Sequence, residues 1–316
     1  MDEFEVIQRY FATGFPARDD VVLGVGDDGA LTRLAPGEEL VTVSDALVAG
    51  THFPAQLAAG AIAHRALAAN LSDLAAMGAG PRWFTLALAL PEAKEAWLAA
   101  FAAGLRRLAD RFGLALIGGD TVRGPLAVTI TAMGTVAAGT ALRRDGARSG
   151  DRIFVTGTPG DAGWAWQAFA DGRGLSADDP LYQRFAFPDP RVAEGAALRG
   201  IATAAIDLSD GLHVDLARLL AASGVGGEAD VDAVPRSAAL TERAGETRAT
   251  ELALTGGDDY ELCFTIPAEK ESALAALAAS WPCRLTQIGR VVAEPGLRWR
   301  RNGEYLPTPD VSFRHF

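Results

Sequence analysis

The sequence has few cysteines and few positive charges for its length. Two of its 316 residues, Cys263 and Cys283, are cysteine, and neither a CxxC spacing nor a nearby histidine pair suggests a zinc site. We therefore expect buried free thiols, which suit a reducing cytosol, and no disulfide framework. Lys and Arg number 29 against 40 Asp and Glu, which gives a net charge of -11. Nucleic acid is not an expected partner, because proteins that bind its phosphate backbone present clustered Lys and Arg.

Three further absences narrow the class of protein. There is no uninterrupted run of about 18 apolar residues, and the acidic N-terminus lacks the basic start of a secretory signal. We therefore expect a cytoplasmic protein that does not bind membranes. The phosphate-binding pattern GxxxxGK[ST] does not occur, and Gly24-Val25-Gly26 lacks the third glycine of a dinucleotide loop. Classical nucleotide-binding folds are therefore disfavoured.

Length and apolar content predict two full-size domains. A chain of this length with 49% hydrophobic residues is expected to form two domains of about 150 residues each. Helices and strands mix without strict βαβ alternation, which indicates an α/β (mixed α+β) protein with a mixed sheet and packed helices in each half. A basic, glycine-containing stretch marks a boundary between residues 1–137 and 138–316. The pattern predicts strands at 40–43, 114–117 and 252–254, helices at 58–77, 92–112 and 212–222, and an irregular loop at 175–190.

Acidic residues repeatedly follow apolar runs. In the segment 205–211, Asp207 ends a predicted strand, and Ser209 or Asp210 precedes a helix whose N-terminus attracts anions. The related segments are Gly26-Asp27-Asp28, Ser44-Asp45, Gly118-Gly119-Asp120 and Gly256-Gly257-Asp258-Asp259, with Ser72-Asp73 inside a helical pattern.

These acids allow two interpretations. Asp after Gly or Ser is common in turns and helix caps, and for any single segment this explanation is the stronger one. Two carboxylates ~4 Å apart repel by roughly 4 kcal/mol at an effective dielectric of 20, so several acids facing one cleft would require cations. Since Mg2+ prefers oxygen ligands and is bound together with substrate phosphates, the repetition favours a magnesium-polyphosphate site. His52 and Arg144 remain open between a ligand contact and an ordinary surface role.

The ordered set of motifs resembles the thiamine-monophosphate kinase family. The resemblance rests first on Gly26-Asp27-Asp28, on SDALVAGTHF at 44–53 and on NLSDLAAMGA at 70–79. Segments 117–121, 155–161, 206–212, 256–262 and 314–316 follow in the family's order, so the resemblance covers almost the whole chain.

This resemblance implies an enzyme that uses ATP to phosphorylate thiamine monophosphate to thiamine diphosphate. It implies the two-domain fold shared with aminoimidazole ribonucleotide synthetase, several Mg2+ ions and a homodimer. Residues 1–137 would bind metal and ATP and dimerise, and residues 138–316 would complete the cleft.

The resemblance also implies roles for individual residues. The implied metal ligands are Asp28, Ser44, Asp45, Asp73, Asp120, Asp207 and Asp210. Of these, Asp28, Asp73, Asp120 and Asp207 would be catalytic. The implied nucleotide contacts are Gly119, Asp120, Arg144 and Ser209, and the implied substrate contacts are His52, Asp258 and Phe313. Asp258 stands where the family usually has Glu, and Phe313 where Tyr or Trp is common.

The chemistry of the acceptor predicts the mechanism. Because the acceptor is already a phosphate oxyanion, no strong general base is needed, and we expect direct in-line transfer without a covalent phospho-enzyme. Two alternatives remain: a synthetase of the same superfold that activates a carbonyl oxygen as a phosphate, and a non-catalytic sensor of nucleotide or thiamine phosphate.

Overall fold

The structure is a computed structural model that describes residues 1–309; Phe313 and the segment 314–316 lie outside the described residues. The chain forms two compact units. The first unit comprises Met1–Leu74, Ala79–Gly139 and Ala186–Pro188, and the second comprises Ala75–Gly78, Thr140–Phe185 and the residues from Asp189 onward. Every helix among residues 1–309 is too short or too polar to cross a bilayer. Both cysteines are free thiols, as predicted, with Cys263 buried and Cys283 partly exposed.

The N-terminal half is built on a four-stranded sheet with strand order β3-β6-β4-β5, beside a small β1-β2 pair. Its elements are α1 (Glu3–Val6), a π-helical turn (Ile7–Phe11), β1 (Val21–Leu23), β2 (Leu31–Thr32), β3 (Glu38–Val48), α2 (Ala59–Ala76), β4 (Gly80–Leu90), α3 (Glu95–Phe112), β5 (Ala115–Arg123) and β6 (Ala127–Ala137). Helix α3 ends at Gly113, which adopts the left-handed conformation that glycine tolerates best. Helices α2 and α3 confirm the predicted helices to within a few residues.

The two short strands predicted in this half are longer in the structure. Strand β3 continues to Val48 because all eleven of its residues pair with β6, from Glu38 opposite Ala137 to Val48 opposite Ala127. Strand β5 likewise continues to Arg123 beside β4. The acidic segments at 44–45 and 118–120 are therefore parts of these strands, and the predicted strand ends at 43 and 117 were wrong.

The C-terminal half is built on a seven-stranded mixed sheet with order β13-β12-β9-β11-β7-β10-β8. Its elements are β7 (Arg152–Thr156), α4 (Asp161–Ala170), α5 (Pro180–Ala186), α6 (Val192–Ala197), β8 (Ala204–Asp207), α7 (Leu212–Ala222), β9 (Gly226–Asp230), α8 (Ala238–Thr255), β10 (Leu262–Ile266), α9 (Glu271–Ala278), β11 (Leu285–Val292), β12 (Gly296–Arg301) and β13 (Glu304–Tyr305). Most neighbouring strands are antiparallel, and β12 runs parallel to β9. Helix α7 packs its leucines into the main apolar core of this half, and its bounds match the predicted helix.

Two predictions for this half were wrong. Residues 252–254 lie in the last turns of helix α8, after its kink at Gly245, and do not form a strand. A three-residue apolar run does not distinguish a helix end from a strand. The predicted loop at 175–190 contains α5. Its start is explained by Pro180 at the first helical position and by the Asp179 carboxylate, which accepts the Leu181 N–H at 2.9 Å.

Candidate active site

The first acidic segment follows β1 and is open to solvent. Asp27 and Asp28 are both exposed, and the Asp28 N–H donates to Asp27 Oδ1 at 2.8 Å. Gly26 before them has a φ of 122°, a backbone conformation that favours glycine. This turn therefore presents two carboxylates to water, as a site for a partly hydrated cation would.

Asp45 and Asp120 lie on the two edge strands of the four-stranded sheet. Asp45 stands opposite Ile130 on β6, and Asp120 lies beside Ala87 on β4. Since β4 and β6 pair Leu86 with Ile130, Asp45 and Asp120 lie at nearly the same level across the sheet. Three strand spacings separate the two edges, or roughly 14 Å. Within one chain the two carboxylates are therefore too far apart to bind the same ion.

Contacts with adjacent strands explain the residue types at Ser44 and Gly119, directly before the two acids. Ser44 Oγ lies 2.9 Å from Thr131 Oγ1 on the adjacent strand. Gly119 has a φ of 150°, and a Cβ there would lie 1.9 Å from the Leu86 carbonyl oxygen. The strand can therefore approach β4 at this point only with glycine, directly before Asp120.

Ser72 and Asp73 lie near the C-terminal end of α2. Ser72 is buried, whereas Asp73 is partly exposed and is the acid of this helix that a ligand can reach. The helix is rich in alanine and its small side chains are almost all buried, so Asp73 is mounted on a rigid element.

His52 lies in the turn after β3, and its tautomer is set by the backbone. The Val48 N–H donates to His52 Nδ1 at 3.0 Å, and the His52 carbonyl accepts from the Arg65 guanidinium at 3.2 Å. Because Nδ1 accepts a hydrogen bond, the neutral imidazole carries its hydrogen on Nε2. Nε2 is therefore the hydrogen-bond donor of the neutral His52 ring.

In the second unit, the predicted residues of the 207–211 and 256–260 segments do lie together. Asp207 is buried at the end of β8, opposite Leu262 of β10. Beyond the strands, the Asp258 N–H donates to the Ser209 carbonyl at 2.8 Å, and the Tyr260 N–H donates to the Leu208 carbonyl at 2.8 Å. The two loops thus continue the pairing of β8 and β10, with Ser209 exposed and Asp258 partly exposed.

The 256–260 loop has an unusual backbone. Asp258 and Tyr260 adopt φ values of 64° and 51°, a region that residues other than glycine seldom occupy. The Tyr260 hydroxyl donates to Asp258 Oδ1 at 3.0 Å and so helps to orient that carboxylate. Such conformations persist where the surroundings determine them fully, and they occur preferentially at ligand sites.

Asp215 is a central residue of this loop pair that the motif comparison did not identify. It lies on α7 and is 1% exposed, and its Oδ2 accepts the N–H groups of Ser209, Asp210 and Gly211 at 3.1, 3.0 and 3.1 Å. Burial, followed by the charge of Asp207, raises the pKa of Asp215 to about 7. A sequence signal existed, since an acid at 215 interrupts the apolar spacing of Leu212, Leu216 and Leu219.

A second group missed by sequence reasoning surrounds Glu261. This side chain is fully buried, and Arg191 donates to its two oxygens at 2.6 and 2.7 Å. Arg184 and the Thr156 hydroxyl each donate to it at 2.7 Å. Burial alone would raise the pKa of Glu261, but the hydrogen bonds and charges of the two arginines hold that pKa below its ordinary value.

The remaining predicted contacts are more open. Arg144 is exposed, and its backbone is fixed because its carbonyl accepts the Ser223 hydroxyl at 2.7 Å. Asp210 is partly exposed and pairs with Arg218, which also donates to Asp215 Oδ1 at 3.1 Å. Phe313 lies outside the described residues.

The donor chemistry fits magnesium, although residues 1–309 contain no ready-made cage. Among these residues, no three His, Cys, Asp or Glu side chains are grouped so that they could hold a metal ion. Magnesium is commonly held by one or two carboxylates, several waters and the phosphates of a substrate, so dispersed carboxylates agree with ions that arrive with a nucleotide.

Comparison with known proteins identifies the family. The descriptions "AIR synthase related protein, N-terminal domain" and "AIR synthase related protein, C-terminal domain" match residues 26–136 and 148–301. A thiamine-monophosphate kinase of Salmonella typhimurium (strain LT2) is 45% identical over 318 residues, which cover 99% of this chain and 98% of the relative. The chain belongs to the thiamine-monophosphate kinase family.

Solved structures of thiamine-monophosphate kinases have the same fold. The enzyme of Stenotrophomonas maltophilia K279a is 46% identical, with a TM-score of 0.86 over 96% of both chains. The structure described as AaThiL complexed with AMPPCP and TMP is 27% identical, with a TM-score of 0.77 over 99% of this chain and 94% of that one. The resemblance read from the motifs and the two-domain mixed α/β fold are therefore confirmed.

Proposed function

We propose that this member of the thiamine-monophosphate kinase family phosphorylates thiamine monophosphate to thiamine diphosphate with ATP, by direct in-line transfer of the γ-phosphoryl group. The observation that carries the proposal is the pairing of the 207–211 and 256–260 loops, which places an oxygen-rich surface on a rigid backbone, in a chain 45% identical to a named kinase over nearly its whole length. A 27% identical relative has been solved with AMPPCP and TMP, an ATP analogue and the proposed acceptor.

Several Mg2+ ions are part of this proposal. The proposed ligands are Asp28, Ser44, Asp45, Asp73, Asp120, Asp207 and Asp210. The separation of Asp45 from Asp120 supports a proposal in which those two acids hold different ions within one chain. When bound, Mg2+ neutralises charge on the phosphate oxygens and so reduces the repulsion between donor and acceptor. Of the seven ligands, Asp28, Asp73, Asp120 and Asp207 are the proposed catalytic residues.

The chain's other residues would position the two anions. His52 would donate its Nε2–H to a phosphate oxygen of thiamine monophosphate, with the partly exposed Asp258 as a second contact. Ser209, the exposed Arg144 and Gly119 would contact the nucleotide, with Gly119 directly before the proposed metal ligand Asp120. Phe313 keeps its proposed role at the substrate. Positioning and charge compensation are what phosphoryl transfer chiefly requires.

The assembly and location are proposed as well. Residues 1–137 would carry the metal, nucleotide and dimer functions, and residues 138–316 the remaining contacts. A homodimer is supported by the eleven-residue edge strand β3 and by exposed apolar side chains on the two edge strands, Leu40, Val48 and Val122. Sedimentation of the purified chain tests the homodimer, since a mass of one chain at micromolar concentration would contradict the proposed dimer.

We propose a cytoplasmic location on the basis of the free thiols.

The deciding experiment is a product analysis. The full chain is incubated with ATP, MgCl2 and thiamine monophosphate, and products are separated by chromatography. Thiamine diphosphate with an equal amount of ADP supports the kinase. ADP with inorganic phosphate would instead indicate a synthetase, and tight binding without turnover a sensor. Ping-pong kinetics with an isolable phosphorylated protein would contradict direct transfer.

A further inference from the structure

The side chain of Asp215 is bonded to three successive peptide groups of the 207–211 loop. Its Oδ2 accepts the N–H groups of Ser209, Asp210 and Gly211, all between 3.0 and 3.1 Å. Helix α7 begins at Leu212, with Gly211 at its cap position. The three N–H groups that Asp215 accepts therefore belong to the cap residue and to the two residues before it. Asp215 thus reaches back from the first turn of the helix and holds the loop that leads into it.

The carbonyl groups of the same loop are bonded on their other side. The Leu208 and Ser209 carbonyls accept the N–H groups of Tyr260 and Asp258, each at 2.8 Å. The peptide groups from 208 to 211 are thus held by Asp215 through their N–H groups and by the 256–260 loop through their carbonyls. Ser209 and Asp258 share one hydrogen-bonded backbone, so a displacement of the first loop would displace both residues.

Hydrophobic packing alone explains the choice of residue at 215 poorly. Asp215 occupies a buried position between helix residues that are leucine, where a leucine would fill the space without a charge. Its burial and the nearby Asp207 charge both disfavour a carboxylate there. What leucine cannot provide is an acceptor for three N–H groups.

We propose that Asp215 is a positioning residue, whose carboxylate holds the Ser209–Gly211 backbone so that Ser209 and Asp258 lie where nucleotide and thiamine monophosphate require them. This inference rests on the proposed function for the two ligands. The geometric part, that Asp215 restrains the loop, stands independently of which ligands bind.

The test compares Asp215→Leu with Asp215→Asn in the full chain. Leucine removes the acceptor at similar volume, whereas asparagine keeps one oxygen that can accept the same N–H groups. We expect Asp215→Leu to lower kcat/KM about 10- to 100-fold, with KM raised for both ATP and thiamine monophosphate, as for other residues that orient ligand-binding groups. We expect Asp215→Asn to stay within about 5-fold of the wild type. Thr250→Val, which removes a buried hydroxyl from α8 in the same unit, is the matched control and should leave both KM values unchanged.

Hydrogen exchange of the 209–211 amides gives a readout that needs no activity. These amides should exchange at least about 10-fold faster in Asp215→Leu than in the wild type, while the amides of α8 keep their protection. Wild-type activity in Asp215→Leu, or equal impairment in both variants, would overturn the proposal. So would unchanged exchange at 209–211. If the wild type makes no thiamine diphosphate, the proposed function fails, and the exchange data still decide whether Asp215 restrains the loop.

Discussion

Two carboxylate clusters of the second unit, one around Glu261 just before β10 and one around Asp215 on α7 just after β8, differ in how their charge is balanced. They are joined directly, since the Leu208 N–H donates to the Glu261 carbonyl at 2.8 Å. Around Glu261, two arginines and a threonine hydroxyl meet one carboxylate, and the pKa of that carboxylate is lowered despite full burial. Around Asp215, burial and the charge of Asp207 raise the pKa to about 7.

The difference shows what each cluster is suited to do. The two guanidinium groups that bind the buried Glu261 carboxylate offset the cost of removing its charge from water, and their hydrogen bonds join three segments of the chain. The Arg218 guanidinium bonds Asp210 and Asp215, but burial and the charge of Asp207 still disfavour the charged form of Asp215. The first arrangement balances its charge within the protein, whereas the second retains unfavourable charge beside Asp207 and Asp210, two of the proposed metal ligands.

The largest expected effect follows from breaking the balanced cluster. Glu261→Gln should lower the free energy of unfolding by about 3 to 5 kcal/mol, because it removes the buried charge that Arg191 and Arg184 share. Urea unfolding measures this loss. Glu251→Gln is the control, since Glu251 pairs with Arg248 at a half-exposed site and its loss should cost less than about 1 kcal/mol. Equal effects of the two variants would show that the Glu261 cluster does not stabilise the fold.

The second prediction removes a charge from the acidic cluster. Asp207→Asn should lower kcat/KM about 100-fold, or about 2.7 kcal/mol, because a proposed metal ligand is lost. The free energy of unfolding should change by no more than about 1 kcal/mol, since the substitution also relieves repulsion on Asp215. Steady-state kinetics and urea unfolding on the same preparation separate the two quantities. Asp171→Asn, at an exposed pair with Arg173, is the control. Near-normal turnover in Asp207→Asn would show that the acidic cluster has no role in the reaction.

The contrast between the clusters also explains what the sequence could and could not predict. Asp207, Ser209 and Asp210 are local to one motif and precede a helix with regular apolar spacing, so their placement at the end of β8 was predictable. Asp215 was within reach of the same reasoning, as an acid among the buried leucines of α7. The Glu261 cluster was not, because Arg191 and Arg184 lie 70 and 77 residues away in sequence. Which arginine meets which acid depends on tertiary packing.

The predicted strand ends of the first unit were wrong for a similar reason, since they depend on residues distant in sequence. Ser44 and Asp45 are polar residues that typically end a strand, but pairing with the whole of β6 extends β3 through them. Pairing partners are non-local, and they override local preference. The separation of Asp45 and Asp120 on opposite edges follows from strand order, which the motifs do not contain.

The smallest expected effect concerns Asp20, a carboxylate that is paired with arginines, as Glu261 is, but is partly exposed to solvent. Asp20 in the first unit accepts from Arg18 at 2.8 and 2.9 Å, from Arg82 at 3.1 Å and from the Trp83 indole at 2.9 Å, with 19% of its side chain exposed. The hydrogen bond from Arg18, aided by Trp83 and Arg82, lowers the pKa of Asp20 to about 2. Because the folded state favours the charged form, Asp20 should stabilise the fold by about 2 kcal/mol at neutral pH.

The lowered pKa of Asp20 defines the pH range over which this carboxylate stabilises the fold. A carboxylate with a lowered pKa contributes fully above the unfolded pKa of about 4, and its contribution disappears as the pH falls toward 2. The difference in unfolding free energy between the wild type and Asp20→Asn should therefore be constant from pH 7 to pH 5 and shrink between pH 4 and pH 2. Urea titrations across this range measure it. A difference that stays constant down to pH 2.5 would mean that the arginines contact Asp20 without stabilising its charge. Solvent at this partly exposed site would then screen the attraction between the arginines and the carboxylate, which the buried Glu261 cluster retains.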